Sequence, residues 1–268
     1  MVRIVERLVP DELWELFQRV VPETPSRPQG GGRRRHGDRE VLAAIVFVVT
    51  SGCGWQQLPS ASFGPSGATA HRRFSEWSKA KVWAKLHLLL LDEPGAQGEP
   101  DWSRCAIDSV HMRALKGVLT GPNPDDRGKC GSKIHLITKR SILPVSVGIS
   151  GANLRDSQAV LPFTKGIPPI RSRCGCRRRE PGEAHAAKGC DYAHLRRWLR
   201  EGGIAHRVAR KGVESSQRLG RHRWTVERTM AWLAGCRLLH RRYERRAEHF
   251  LAFTCIACTP ICWRRLTK

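Results

Sequence analysis

Beyond residue 103 the hydrophobic period switches repeatedly between two and 3.6, and the order of those switches restricts the fold more than any other feature of the chain. Three period-two runs come first: residues 104–112 (RCAIDSVHM), 132–138 and 143–150, the last two joined by 139–142 as a hairpin. A helix opened by Asp156, a short strand at 184–187, a helix over about 192–201, a strand at 204–209 and a long helix over 223–245 follow. Antiparallel neighbours need only a turn between them, whereas a return to a parallel strand needs a crossover, usually a helix. The order strand, strand, strand, helix, strand, helix, strand, helix therefore predicts an α/β domain with a mixed five-stranded sheet and flanking helices.

Two acids stand out on this frame. Alternation along the first strand puts Ala106, Asp108 and Val110 on one face, so Asp108 is a carboxylate in the middle of a largely buried strand. Acids are seldom placed there without a partner or a metal. On the last helix Val226, Met230, Leu233 and Arg237 share a face, widened by Trp224, Ala231 and Trp232, and Glu227 sits at its border one turn after Arg223. Taken alone, Arg223 and Glu227 read as a surface ion pair; an acid on the first strand changes that reading. The element order is that of a ribonuclease H-like fold. Such domains hold two divalent ions between carboxylates on the first strand, at the end of the fourth strand and on the final helix, because only oxygen anions from separate elements can encircle two hard cations.

The first hundred residues are helical in pattern. Residues 10–21 form an amphipathic helix; 22–35 are a proline, glycine and arginine linker; Asp38 opens a helix through Val49 that ends at Gly52 and Gly54. A third helix, 69–77, turns Phe74 and Trp77 inward and His71, Arg72 and Arg73 outward, and a fourth covers 78–91. Short helices with arginines on one of them fit a helix-turn-helix-like DNA reader, or a bundle with solvated arginines. Residues 92–103 are polar and rich in Gly and Pro, which divides the chain into an N-terminal helical DNA-binding region, 1–95, and a catalytic domain, 96–268.

Charge names the partner class. Lys and Arg number 47 against 24 acids, a formal charge of +23, which attracts polyanions and nucleic acid above all. The loop 167–182 carries Arg171, Arg173 and Arg177 and reads as a phosphate-contact loop, and Lys211 lies in a second basic loop. The longest apolar run, 41–49, is too short to cross a bilayer and residues 1–13 lack a signal-peptide core, so a cytoplasmic protein with no membrane partner is expected. Ten cysteines scattered through apolar elements predict reduced thiols, and Cys255 and Cys258 have no second pair at zinc-site spacing.

The segments AHRRFSEW, CAIDSVHMRA, GSKIHLI, SVGISGANLRDSQA, IPPIRS, HAAKGCDYAHLRRWLR and VERTMAWL together resemble the bacterial insertion-sequence transposases of the DDE class, in the insertion-sequence-five group, over nearly the whole chain. That resemblance implies Asp108 and Glu227 as the first and third catalytic and metal-binding acids, with Arg223 matching the family's arginine four residues before the glutamate. It implies Mg²⁺ or Mn²⁺, double-stranded DNA as transposon end and target, and a homodimer or larger assembly at synapsis on the bacterial nucleoid. One departure is central: the family's second acid lies in a D-x-G-Y/F pattern, and Ala187, Lys188, Gly189 and Cys190 stand in its place. Asp191, four residues on, is the nearest replacement for that catalytic and metal-binding acid, although the chain should be turning into the next helix there. Gly220 likewise replaces a tyrosine, and Ala234 and Gly235 stand where a basic residue is expected, a place Arg237 could fill. Candidate phosphate contacts are Arg72, Arg73, Arg171, Arg173, Arg177, Lys211 and Arg223. A decayed or repurposed, non-catalytic DNA binder is the alternative function. An RNA-processing nuclease of the same fold leaves the N-terminal helices unexplained.

Overall fold

The computed structural model describes residues 2–23, 35–97, 101–171, 176–213 and 216–266; Arg173 lies outside them. The helices α1 (Val2–Leu8), α2 (Asp11–Gln18), α3 (Asp38–Ser51), α4 (Gly67–Lys79) and α5 (Val82–Gln97) come first, with a single helical turn at Ser60–Phe63 between α3 and α4. The sheet region follows as β1 (Arg104–Ala114), β2 (Cys130–Lys139), β3 (Pro144–Gly151), α6 (Asp156–Lys165), β4 (Glu183–Ala186), α7 (Ala193–Glu201), β5 (Ala205–Val208) and α8 (Ser216–Ala234), closed by α9 (Ala247–Leu266). α5 runs on through Pro94 to Gln97, beyond the end at residue 91 that the pattern suggests.

The principal strands lie in the order β3–β2–β1–β4–β5. β1 pairs antiparallel with β2, and β2 with β3, while β1, β4 and β5 run parallel. That is the ribonuclease H-like arrangement: a three-strand meander extended by two crossover strands, with α6 and α7 as the crossovers. Two-residue ladders extend it, Gly121–Pro122 beside β2 and Arg241–Arg242 parallel to the end of β1.

Three local expectations are corrected. The long helix begins at Ser216 and stops at Ala234 instead of running to 245. Gly235 ends it, and Leu238 and Leu239 then dive into the core on a 3₁₀ turn. Arg242 is buried; it donates to the carbonyls of Val118, Leu119 and Glu244 and to Ser132 Oγ, which closes the chain back onto β1 and β2. Neither Asp38 nor Asp156 is a cap, since Gly37 and Arg155 hold the N-cap positions. Arg73 does not point outward: it is 3% exposed, lies over Trp77 and pairs with Asp38 across the α3–α4 contact. Pro260 sits inside an unbroken α9.

One continuous apolar core joins the N-terminal helices to the sheet. Its link is α9, which packs on α5 and on β3. Phe253 of α9 stacks on Phe74 of α4 with ring centroids 4.4 Å apart and planes within 10°, and Trp55 joins them at 6.1 Å. Among the described residues no helix is long and apolar enough to cross a membrane.

Candidate active site

The register of the central strands decides which side chains meet. Ile107 of β1 lies opposite Ala186 of β4. The next residue on each strand, Asp108 and Ala187, therefore stands at the same level, with β4 ending at that point. Packed on the sheet by buried Val226 and by Thr229, whose hydroxyl donates to the Ile142 carbonyl, α8 supplies the third side.

Asp108 and Glu227 share one cation. Arg223 Nη2 donates to Asp108 Oδ2 at 2.5 Å and lies 4.0 Å from Glu227 Oε1 one turn along α8. Asp108 Oδ1 accepts the Ser109 amide at 3.0 Å. The two acids that sequence reasoning singled out thus lie on one side of the sheet, Asp108 largely covered and Glu227 open at 53% side-chain exposure. Only Asp108 is within hydrogen-bond range of the guanidinium.

Asp191 turns away. Its Oδ1 accepts Arg196 Nε and Nη2 at 3.0 and 2.7 Å and its Oδ2 accepts the Lys211 amide at 2.9 Å. The Lys211 amide and the Arg196 guanidinium hold its carboxyl below the usual carboxylate range. Arg196 also donates to the Val208 carbonyl, so Asp191 ties the turn after β4 to the end of β5. Among the described residues none of its hydrogen bonds reaches Asp108, Arg223 or Glu227.

Ser109, adjacent to Asp108, points to the opposite face, where its Oγ donates to Asp156 Oδ1 at 2.8 Å. Buried Lys133 donates to the same oxygen at 3.0 Å and to the Leu154 carbonyl at 2.7 Å. Burial raises the Asp156 carboxyl, but the Lys133 and Ser109 hydrogen bonds outweigh it and hold it low. This network pins β1 and β2 to the start of α6 beside Asp108. Sequence reasoning passed over it; the available signal was a lysine inside the apolar run GSKIHLI. Cys190, in the turn after Ala187, is buried, and burial pushes its thiol up to about 12, with Asp156 and Asp108 adding to the shift.

The predicted phosphate contacts separate. Arg72 is exposed on α4. Arg73 is withdrawn into its pair with Asp38. Arg171 and Arg177 form a two-residue ladder, both exposed, whose Arg171 amide and Arg177 guanidinium hold Asp92. Lys211 is exposed with its ammonium 4.6 Å from the Tyr192 ring centre. Arg223 is committed to Asp108.

These residues do not fit a two-ion centre. Two hard cations bound mainly by carboxylates need more oxygen anions than Asp108 and Glu227 supply. Arg223 already provides the positive charge between them, and Ala187 offers no donor. Among the described residues no three His, Cys, Asp or Glu side chains converge closely enough to hold an ion.

Known proteins give these features a context. Residues 101–259 match the family described as "Transposase DDE domain", and residues 9–87 match "Putative transposase of IS4/5 family". The chain is 42% identical over 165 residues to "Putative transposase for insertion sequence element IS402" of Burkholderia cepacia, covering 62% of this chain and 77% of the relative. It is 38% identical over 119 residues to "Insertion element IS402 uncharacterized 16.2 kDa protein" of the same organism, covering 44% and 81%. Among solved structures, a piggyBac transposase synaptic complex with hairpin DNA overlays 98% of this chain and 73% of its own at 10% identity, with a TM-score of 0.45. A DDE transposase domain implies dependence on a divalent metal in general. By its family matches over both the helical and the sheet regions, this chain belongs to the IS4/5 family of insertion-sequence DDE transposases.

Proposed function

We propose that the protein binds the ends of an insertion sequence as a transposase, and that its strand-cutting centre is one carboxylate short at Ala187. The reading is supported above all by the register that brings Ala187 level with Asp108, with Glu227 one arginine away. With an acid at position 187, that residue, Asp108 and Glu227 would hold a divalent ion, which would supply activation of water and stabilisation of the leaving oxygen for strand cleavage. In this chain Asp108 and Glu227 are the acids, Arg223 neutralises Asp108, and the Lys133–Asp156–Ser109 network holds β1 in place. Mg²⁺ or Mn²⁺ is the ion proposed for the centre only with an acid restored at position 187, and duplex DNA is the proposed partner, bound as a homodimer or larger synaptic assembly. Exposed Arg72, Arg171, Arg177 and Lys211 are the proposed phosphate contacts on a chain of charge +23.

The second reading, a DNA binder that occupies ends without cutting them, is favoured by the short Arg223–Asp108 pair, which leaves Asp108 already satisfied. Cleavage of end-containing DNA in Mn²⁺ by the native protein and by Ala187→Asp separates the two. We expect the restored acid to raise the cutting rate by roughly a hundredfold or more while end binding stays within about twofold. Equal cutting by both proteins would show that Ala187 is not a vacant ligand position. Binding without cutting by either leaves the non-catalytic reading.

A further inference from the structure

One turn beyond Glu227 on α8 the surface opens into a groove that neither the acid pair nor the exposed phosphate contacts use. Its inner part, about 620 Å³, lies between α8 and α9 and is lined by Arg228, Ala231, Trp232, Ile261 and Arg264. The outer part, about 750 Å³, is lined by Ile4, Arg7, Leu8, Phe47 and Arg237. Thr50 and Gly235 line both, so the two parts adjoin. Four arginines stand around an apolar floor, and no lining residue is a carboxylate. All four are exposed, and among the described residues none is paired with an acid.

We infer that this groove binds an unpaired stretch of DNA strand, with bases on the apolar floor and phosphates on the arginines. The inference rests on the DNA-end binding proposed above. Charge complementarity requires an anion, and the floor requires that the anion also carry exposed flat apolar faces. A duplex fails the second condition, because its base faces are stacked inside and its outer surface is sugar and phosphate. A single strand meets both: aromatic stacking and an arginine-lined backbone track are the general means of holding one. The guanidinium of Arg228 already lies over the Trp232 ring, 5.2 Å from its centre, which presents a planar platform for a base to stack upon. Position supports the same occupant. Ala231 of the groove is one turn from Glu227, so a strand held at the acid pair runs directly onto this floor.

The test uses the full chain, a labelled 12-nucleotide single strand, an abasic strand of equal length and a duplex carrying a transposon end. The native protein should bind the base-bearing strand about tenfold more tightly than the abasic one. Trp232→Ala should abolish that difference, Trp232→Phe should keep most of it, and duplex binding should change less than about twofold. Arg228→Gln and Arg264→Gln, on exposed side chains, should each weaken single-strand binding and flatten its salt dependence by about 0.7 in the logarithmic slope. Equal binding of the two strands by the native protein, or equal competition by poly-glutamate, would overturn the inference. So would a shift in oligomeric state with Trp232→Ala, which would make the groove a seat for a second copy. Failure here with duplex binding intact leaves the proposed function standing, whereas loss of duplex binding by the native chain removes both.

Discussion

At the scale of single residues, direction outweighs nearness along the chain. Asp191 is only four positions from Ala187, yet the 3₁₀ turn Lys188–Cys190 intervenes and both its carboxylate oxygens are spent on Arg196 and the Lys211 amide. An acid whose two oxygens are held by a helix arginine and a loop amide is a structural tie. Asp191→Asn should therefore lower the thermal midpoint by a few degrees and leave the cleavage activity of the Ala187→Asp protein unchanged. Lost cleavage with an unchanged midpoint would place Asp191 in the acid centre instead. Asp108 and Glu227 were legible because a mid-strand acid and a border acid on an amphipathic helix are each conspicuous. Arg73 misled: helical spacing put it with exposed His71 and Arg72, but its partner, Asp38, is 35 positions away and only tertiary packing brings it in.

At the scale of elements, strand order and most helices could be read from periodicity, and ends could not. The long helix is an instance. Its stripe continues through Arg237 in a helical projection, while in the fold Leu238 and Leu239 are buried by leaving the helix and Arg242 finds four oxygen acceptors beyond it. A stripe cannot report that a later segment is needed elsewhere. Buried histidines between elements give a test of the packing itself. His87 of α5 donates from Nε2 to the Pro144 carbonyl at the start of β3, at 2.8 Å, and burial lowers its pKa to about 4. Burial also lowers His135 of β2 to about 4. Both titrate near 6.5 when unfolded, so below that pH the unfolded chain takes up protons that the folded chain refuses. Their contribution is complete above pH 6.5, falls as pH drops from 6.5 to 4 and then levels. Thermal melts across this window should show the midpoint falling, and His87→Gln, which keeps a donor, should make the fall shallower. An identical slope in the variant would mean that the α5–β3 contact opens before His87 titrates.

At the scale of the whole molecule, a break in sequence pattern does not interrupt the apolar core. The Gly- and Pro-rich stretch near residue 95 marks a change of pattern, yet the core passes straight across it because α9 returns from the far end of the chain to pack on α5 and β3 at once. Phe253, fully buried, is the pivot. Phe253→Ala should lower stability by about 3 to 5 kcal/mol and shift a single unfolding transition. Two separated transitions, with the helices melting before the sheet, would show that the N-terminal region folds on its own. The stacked rings of Phe74 and Phe253 have a mechanical corollary. Among the described residues α9 packs at once on the helix that carries Arg72 and on the sheet that carries Asp108, so under the proposed function the two form a gauge of fixed span, with the duplex segment held at α4 and the bond offered to the acids a constant number of base steps apart.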